Sequence, residues 1–228
     1  MNGSPHRPMR ITIIDDHALF AESVAFTLEA EGYLVRRIDL ADHHTTLATV
    51  LSAAARNAPR MVLLDLSLGR LGDGMRLIAP LSATGAAVIV ITGSVDRSRW
   101  GEAVRHGAKA VLLKTCPLSE VIATVRRVRD GLPLMTPDER AALIEVALHD
   151  RDELRDLRGR LERLTRRESE VLGALMTGAQ VREIARSSVV SEATVRSQVK
   201  SILAKLEMSS QIAAVGAAFK VGWHPPEH

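Results

Sequence analysis

Residues 60–69 read Arg60-Met61-Val62-Leu63-Leu64-Asp65-Leu66-Ser67-Leu68-Gly69. An apolar run closed by a single aspartate predicts a buried strand that delivers one carboxylate to its C-terminal end. In open α/β sheets, ligands bind outside the carboxyl ends of the strands. Asp65 is therefore either part of a site or an acid that opens an ordinary turn, as aspartate commonly does.

Working outward, four more short apolar runs fall at residues 11–14, 33–38, 86–91 and 110–113. Amphipathic segments of helical length separate them, at 18–31, 43–56, 74–82, 97–106 and 118–130. Five strands alternating with five helices predict a doubly wound, five-stranded parallel sheet with helices on both faces. After Gly131 the pattern becomes helical. Thr136-Pro137-Asp138-Glu139 combines a capping threonine, a proline at the first helical position and an acid three residues after the cap. Leu143, Ala147, Leu154, Leu157, Leu161 and Leu164 then form an apolar stripe at helical spacing. It suits either a linker helix packed on its own domains or a short coiled coil pairing two chains. A second capping box, Thr165 to Glu168, starts four short helices that predict a small all-α domain, and the tail 223–228 reads as frayed. The expected domains are 9–130, a linker at 131–164, and 165–221.

Composition narrows the classes. The 228 residues are 46% hydrophobic, enough for two modest cores. No apolar stretch reaches the roughly 18 to 20 residues that span a bilayer, and the first ten residues lack the apolar region of a signal peptide. The expectation is a cytoplasmic protein with no membrane partner. A single cysteine, Cys116, excludes an internal disulfide framework and is read as a small buried or half-buried residue. Aromatic residues make up 3% of the chain, which argues against base stacking on rings and against an aromatic ligand cage. The net charge of +3 and a pI near 9.4 give only a faint sign of polyanion binding.

The strand ends carry the chemistry. In a sheet of order 2-1-3-4-5, Asp15 and Asp16 leave the first strand beside Asp65 at the topological switch point. Three carboxylates in one crevice stay ionised together around a cation, and hard oxygen ligands suit Mg²⁺. Thr92 ends the fourth strand and Lys114 the fifth, which brings a hydroxyl and an ammonium to the same edge. Gly93 leaves room beside Thr92. This set is what phosphoryl transfer to a carboxylate requires: Asp65 as nucleophile, with Thr92 and Lys114 holding the phosphoryl oxygens.

On the residues Ile-Ile-Asp-Asp-His, Val-Leu-Leu-Asp-Leu, Val-Ile-Thr-Gly and Leu-Leu-Lys at these strand ends, the chain resembles the receiver domain of bacterial two-component response regulators. The resemblance implies that Asp65 accepts phosphate from a sensor histidine kinase. It also implies that Asp15, Asp16, Asp65 and the backbone carbonyl of Ser67 hold Mg²⁺, and that Thr92 and Lys114 sense the phosphoryl group. Gly69 stands where such receivers usually carry proline, which predicts a longer and more flexible loop after the third strand. Val111 stands where many carry an aromatic ring three residues before the lysine.

In the C-terminal part, a helix, a tight turn and a longer helix make the plan of a helix-turn-helix, whose second helix enters the major groove. Residues 191–206 bury Val195, Val199, Ile202, Leu203 and Leu206. They leave Thr194, Arg196, Ser197, Lys200, Ser201 and Lys205 on a face without acids. From Thr165 onward there are 8 Lys and Arg against 6 Asp and Glu, so charge alone barely favours DNA. The stretches Leu-Thr-Arg-Arg-Glu-Ser-Glu-Val-Leu, Glu-Ile-Ala and Ser-Glu-Ala-Thr-Val-Arg-Ser-Gln-Val-Lys-Ser-Ile-Leu-Ala-Lys-Leu are similar to the LuxR-type DNA-binding domain. That resemblance implies Arg196, Ser197 and Lys200 facing the groove, with Thr194, Gln198 and Lys205 at phosphates.

Receiver, linker and this domain together resemble the NarL/FixJ class. The implied function is a transcription factor that binds double-stranded DNA as a homodimer, with RNA polymerase as a further candidate partner. It is not an enzyme beyond phosphorylation and dephosphorylation of its own aspartate. The alternative within regulation is a receiver driven by protein contacts or a ligand without phosphate. An aspartyl-phosphate hydrolase would need a second acid where Ser67 stands, and a small-molecule-sensing LuxR-type regulator would leave the acidic site unexplained.

Overall fold

The computed structural model describes residues 8–226. The chain divides into two compact units, Met1–Leu148 and His149–His228. The first unit contains β1 (Arg10–Ile14), α1 (Ala18–Ala30), β2 (Leu34–Arg37), α2 (Leu47–Arg56), β3 (Met61–Asp65), α3 (Met75–Ala83), β4 (Ala87–Thr92), α4 (Arg97–Arg105), β5 (Ala110–Leu113) and α5 (Leu118–Arg129). All neighbouring strands are parallel, and the sheet order is β2-β1-β3-β4-β5.

The continuous apolar runs are explained by burial on both faces. Val62 and Leu64 of β3 join Val88 and Val90 of β4 in a core shared with Val50 of α2 and Ile78 and Leu81 of α3. Met61 and Leu63 join Ile89 and Ile91 in a second core with Val24 and Leu28 of α1 and Val121 and Val125 of α5. Each fully buried aliphatic side chain contributes roughly 1.5–3 kcal/mol. The edge strand β2 is the exception. It covers only Leu34–Arg37 of the run 33–38, its own residues are exposed or half-buried, and the buried members of the run are the flanking Tyr33 and Ile38.

The helix α6 (Pro137–Glu162) begins at the expected cap: Thr136 Oγ1 accepts from Glu139 N, and Glu139 Oε2 accepts from Thr136 N. The apolar stripe divides between the two units. Leu143 and Ala147 are buried in the first, against Gly101 of α4, whereas Leu161 and Leu164 are buried in the core of the second unit.

The second unit continues with α7 (Arg166–Met176), α8 (Val181–Ser187), α9 (Glu192–Leu206) and α10 (Gln211–Lys220). The expected fraying of the tail is corrected as far as the described residues reach. Trp223 packs against the core, and Pro225 lies over α7 where Gly173 has no side chain to block it. Glu227 and His228 lie outside the described residues. Among the described residues, no single helix is long and apolar enough to cross a membrane.

Candidate functional site

Register brings the acids together. Ile14 of β1 pairs with Leu64 of β3, so Asp15 and Asp65 follow side by side at the same sheet edge. Thr92 and Lys114 emerge from β4 and β5 at that edge. Close chain approach depends on two glycines. A Cβ at Gly74 would collide with the Asp65 carbonyl, and one at Gly69, whose φ is +54°, would lie 2.9 Å from Asp16 Oδ2.

The ammonium of Lys114 joins the carboxylates. Its Nζ donates to Asp15 Oδ1 at 2.8 Å and to Asp65 Oδ2 at 2.7 Å, and it stands 5.3 Å from the centre of the Phe20 ring. Asp65 is only 2% exposed. Burial pushes its carboxyl above the usual carboxylate range, against the hydrogen bonds from Lys114 and Ser67 N. Burial works the other way on Lys114, but the hydrogen bonds to Asp15 and Asp65 overcome it and raise its pKa. The ammonium therefore stays charged.

Thr92 is buried, and its Oγ1 accepts from Ser94 N at 3.1 Å. Ser67 donates its N–H to Asp65 Oδ1 at 3.1 Å and bridges to Asp73 across the loop. These groups open on a cavity of about 500 Å³, lined by Asp65, Ser67, Thr92, Gly93 and Lys114 among others.

The donor set fits a hard divalent cation. One ligand atom each from Asp15, Asp16, His17 and Asp65 lie within 4.8 Å of one another. Three carboxylates supply oxygen, and Gly69 leaves the space that Asp16 occupies. His17 is the member that sequence reasoning missed. Its Nδ1 lies 2.8 Å from Asp16 Oδ1 and 3.0 Å from Lys114 Nζ. Its position directly after the two aspartates was the available signal.

The loop after β3, at Gly69, takes a hydrogen-bonded form. A 3-10 turn, Gly69–Leu71, is closed by Leu68 N donating to Gly72 O and Gly72 N donating to Gly69 O. Arg70 pins it from outside, donating to the carbonyls of Leu40, His43 and Thr45. Val111 is half-buried against the core.

In the second unit, α8, a turn and α9 take the helix-turn-helix plan, with Ser191 Oγ capping α9 through Thr194 N. Thr194, Arg196, Ser197 and Lys200 are exposed, and Arg196 makes an i,i+4 pair with Glu192 at 3.0 Å. Gln198 is half-buried, with its Oε1 out of solvent and without a hydrogen bond. Lys205 is corrected: its Nζ donates to Glu168 Oε2 at 2.6 Å instead of pointing outward. Ser201 is likewise turned inward, donating to Glu168 Oε1 at 2.6 Å. The reason is Glu168 itself, a buried carboxylate that must be paired.

Residues 11–126 match the model of the response regulator receiver domain, and residues 162–218 that of the bacterial regulatory proteins of the luxR family. The uncharacterized transcriptional regulatory protein YhcZ of Bacillus subtilis (strain 168) is 29% identical over 214 residues, covering 93% of this chain and 96% of that protein. The transcriptional regulatory protein DesR of the same organism is 28% identical over 207 residues, covering 89% and 96%. Among solved structures, the RcsB response regulator of Salmonella typhimurium aligns at 23% identity and a TM-score of 0.48, over 94% of this chain and 99% of that one.

Proposed function

The chain belongs to the response regulators, with a receiver domain joined to a LuxR-type DNA-binding domain, and from the geometry at the end of β3 we propose that Asp65 is its phosphoacceptor. The class is that of transcriptional regulators of two-component systems rather than enzymes. We take 9–130 as the receiver, 131–164 as the linker and 165–221 as the DNA-binding domain. The observation that carries the acceptor reading is the Lys114 ammonium held between Asp15 and Asp65 at the mouth of the cavity that Thr92 lines.

The phosphoryl donor is a phosphohistidine of a sensor kinase. An oxygen of Asp65 forms the new O–P bond as the P–N bond to the histidine breaks, and the histidine nitrogen keeps the electron pair. Lys114 and the Thr92 hydroxyl hold the phosphoryl oxygens. Asp15, Asp16, Asp65 and the Ser67 carbonyl would hold Mg²⁺, which when bound neutralises charge on the transferring group.

On the DNA side, Arg196, Ser197 and Lys200 of α9 read the major groove, while Thr194 and the amide nitrogen of Gln198 meet phosphates. Ile212 and Phe219, seven residues apart on α10, are exposed, an apolar face that supports binding as a homodimer. RNA polymerase is the partner such a regulator would engage at a promoter. The cytoplasm is where kinase phosphohistidine and DNA are both within reach.

Exposure to a small phosphodonor with Mg²⁺ should add one phosphoryl group to the intact chain and none to Asp65→Asn. Undiminished labelling of that variant refutes the assignment. Val111 favours a second reading, a receiver that works without phosphate. That reading requires that beryllofluoride, a phosphoryl mimic, show no Mg²⁺-dependent binding.

A further inference from the structure

The acceptor cavity contains a second cation that the chemistry above leaves unused. Arg99, in the first turn of α4, lines the cavity together with Asp65, Thr92 and Lys114. Its Nη2 donates to both carboxylate oxygens of Asp73, at 3.0 Å each. The bridge ties the loop after β3 to the start of α4, with both residues lining the cavity. Both side chains are partly open to water, Arg99 at 41% and Asp73 at 48%. An ion pair this exposed is worth less than about 1 kcal/mol, so it is easily exchanged for a stronger partner.

Asp73 does not depend on Arg99 for its place. Its Oδ1 accepts from Met75 N at 3.0 Å at the start of α3, and its backbone bridges to Ser67. Arg99, by contrast, sits in the first turn of a helix, where the dipole disfavours a cation, with Arg97 beside it; the one acid at that end, Asp96, is engaged in capping the backbone N–H groups of Ser98 and Arg99. An anion arriving in the cavity therefore meets a guanidinium with a weak present partner. A phosphoryl group on a side chain brings about −1.5 to −2 charges and three acceptor oxygens.

We propose that Arg99 is a phosphoryl-binding residue that exchanges Asp73 for the phosphoryl oxygens on Asp65, and so carries the phosphorylation signal into α4. The inference rests on Asp65 being the acceptor. It gives the domain a coupling device of its own, in a chain that has Val111 and no aromatic ring three residues before Lys114. Arg99 acts by charge-assisted hydrogen bonds, which for a guanidinium and a phosphate are short and directional.

The test is calorimetric titration of the full chain with beryllofluoride at saturating Mg²⁺. Binding to the wild type and loss in Asp65→Asn establish the acceptor site, and no binding to the wild type overturns both readings. Given binding, Arg99→Ala should weaken it roughly tenfold, with Arg99→Lys in between. Asp73→Asn should tighten it by about two- to fivefold, the worth of the exposed ion pair it releases. In the double variant that gain should disappear.

A bridge that is merely structural gives shifts of the same sign for Arg99→Ala and Asp73→Asn. Equal affinity of Arg99→Ala and wild type, or a gain that persists in the double variant, likewise overturns the proposal while leaving the acceptor assignment standing.

Discussion

At Glu168 a single carboxylate serves two purposes. It accepts from Thr165 N and Oγ1 as the partner in the α7 cap, and from Lys205 and Ser201 of α9 as the buried charge that ties the two helices together. Burial works to raise its pKa, yet the hydrogen bonds from Lys205, Ser201 and Thr165 overcome it and hold the group at about 2, well below the ordinary 4.5. A depressed pKa in the fold means stability that is complete above the unfolded value and is lost as pH falls. Here the window runs from 4.5 down to about 2. The contribution is on the order of 2 kcal/mol once solvent around the partly exposed Lys205 is allowed for. In Trp100→Phe chains, where Trp223 reports the core of the second unit, the urea midpoint should fall between pH 6 and pH 3. Glu168→Gln should start lower and lose that dependence. Equal acid sensitivity with and without Glu168 would mean the charge is not carrying this stability. The Thr165 to Glu168 capping box was legible in the sequence, because the motif is local. The second purpose was not, since Lys205 is 37 residues away and helical periodicity places it on the polar face. A capping acid is ordinarily exposed, and nothing in the pattern marks this one as buried. His17 was legible only in part: it follows the two aspartates directly in the chain, but its contact with Lys114, which follows β5, is made by the fold.

At the scale of elements, the strands were legible because burial on both faces leaves continuous apolar runs, and the strand-end residues followed from them. Helix α6 was legible as a helix but not in its use. A stripe at helical spacing buries itself against any apolar partner, whether a second chain or the helix's own domains. The deciding residue is Gly101 of α4, whose missing side chain lets the α6 backbone come close. A Cβ there would collide with the Leu143 carbonyl and crowd Ala147. No periodicity argument assigns that meaning to a lone glycine inside a helix, where its lower propensity is a cost of about 1 kcal/mol. Gly101→Ala should gain that helix propensity yet still destabilise the first unit, by about 1–3 kcal/mol as α6 is forced away. Thermal unfolding followed at Trp100, in Trp223→Phe chains, measures it. A rise in midpoint would show that propensity outweighs the close approach. The same logic applies at Gly74 beside the Asp65 carbonyl, where the collision falls on the proposed acceptor strand itself.

For the whole molecule, the boundary between the two units falls at Leu148 and His149, inside a single helix that runs from Pro137 to Glu162. The N-terminal part of the stripe is buried in the first unit, beside Gly101, and the C-terminal part in the core of the second unit. A change started at the proposed acceptor Asp65 and carried along α6 crosses residues 148–157, where Leu154 and Leu157 are only half-buried. A helix transmits displacement because each turn is hydrogen-bonded to the next, whereas a glycine-rich coil does not. Inserting Gly-Ser-Gly after Asp152 breaks that continuity and leaves both cores intact. The altered chain should still take one phosphoryl group at Asp65 and should still bind DNA with wild-type basal affinity. The phosphodonor should then no longer change its DNA affinity or its mass in solution, whereas the wild-type chain should shift towards a dimer and bind paired half-sites more tightly. Binding titrations and solution mass, each with and without donor, read both effects on one sample. An insertion variant that responds like the wild type would show that the signal does not travel through α6, and would move the search to contacts made only when two chains meet on DNA.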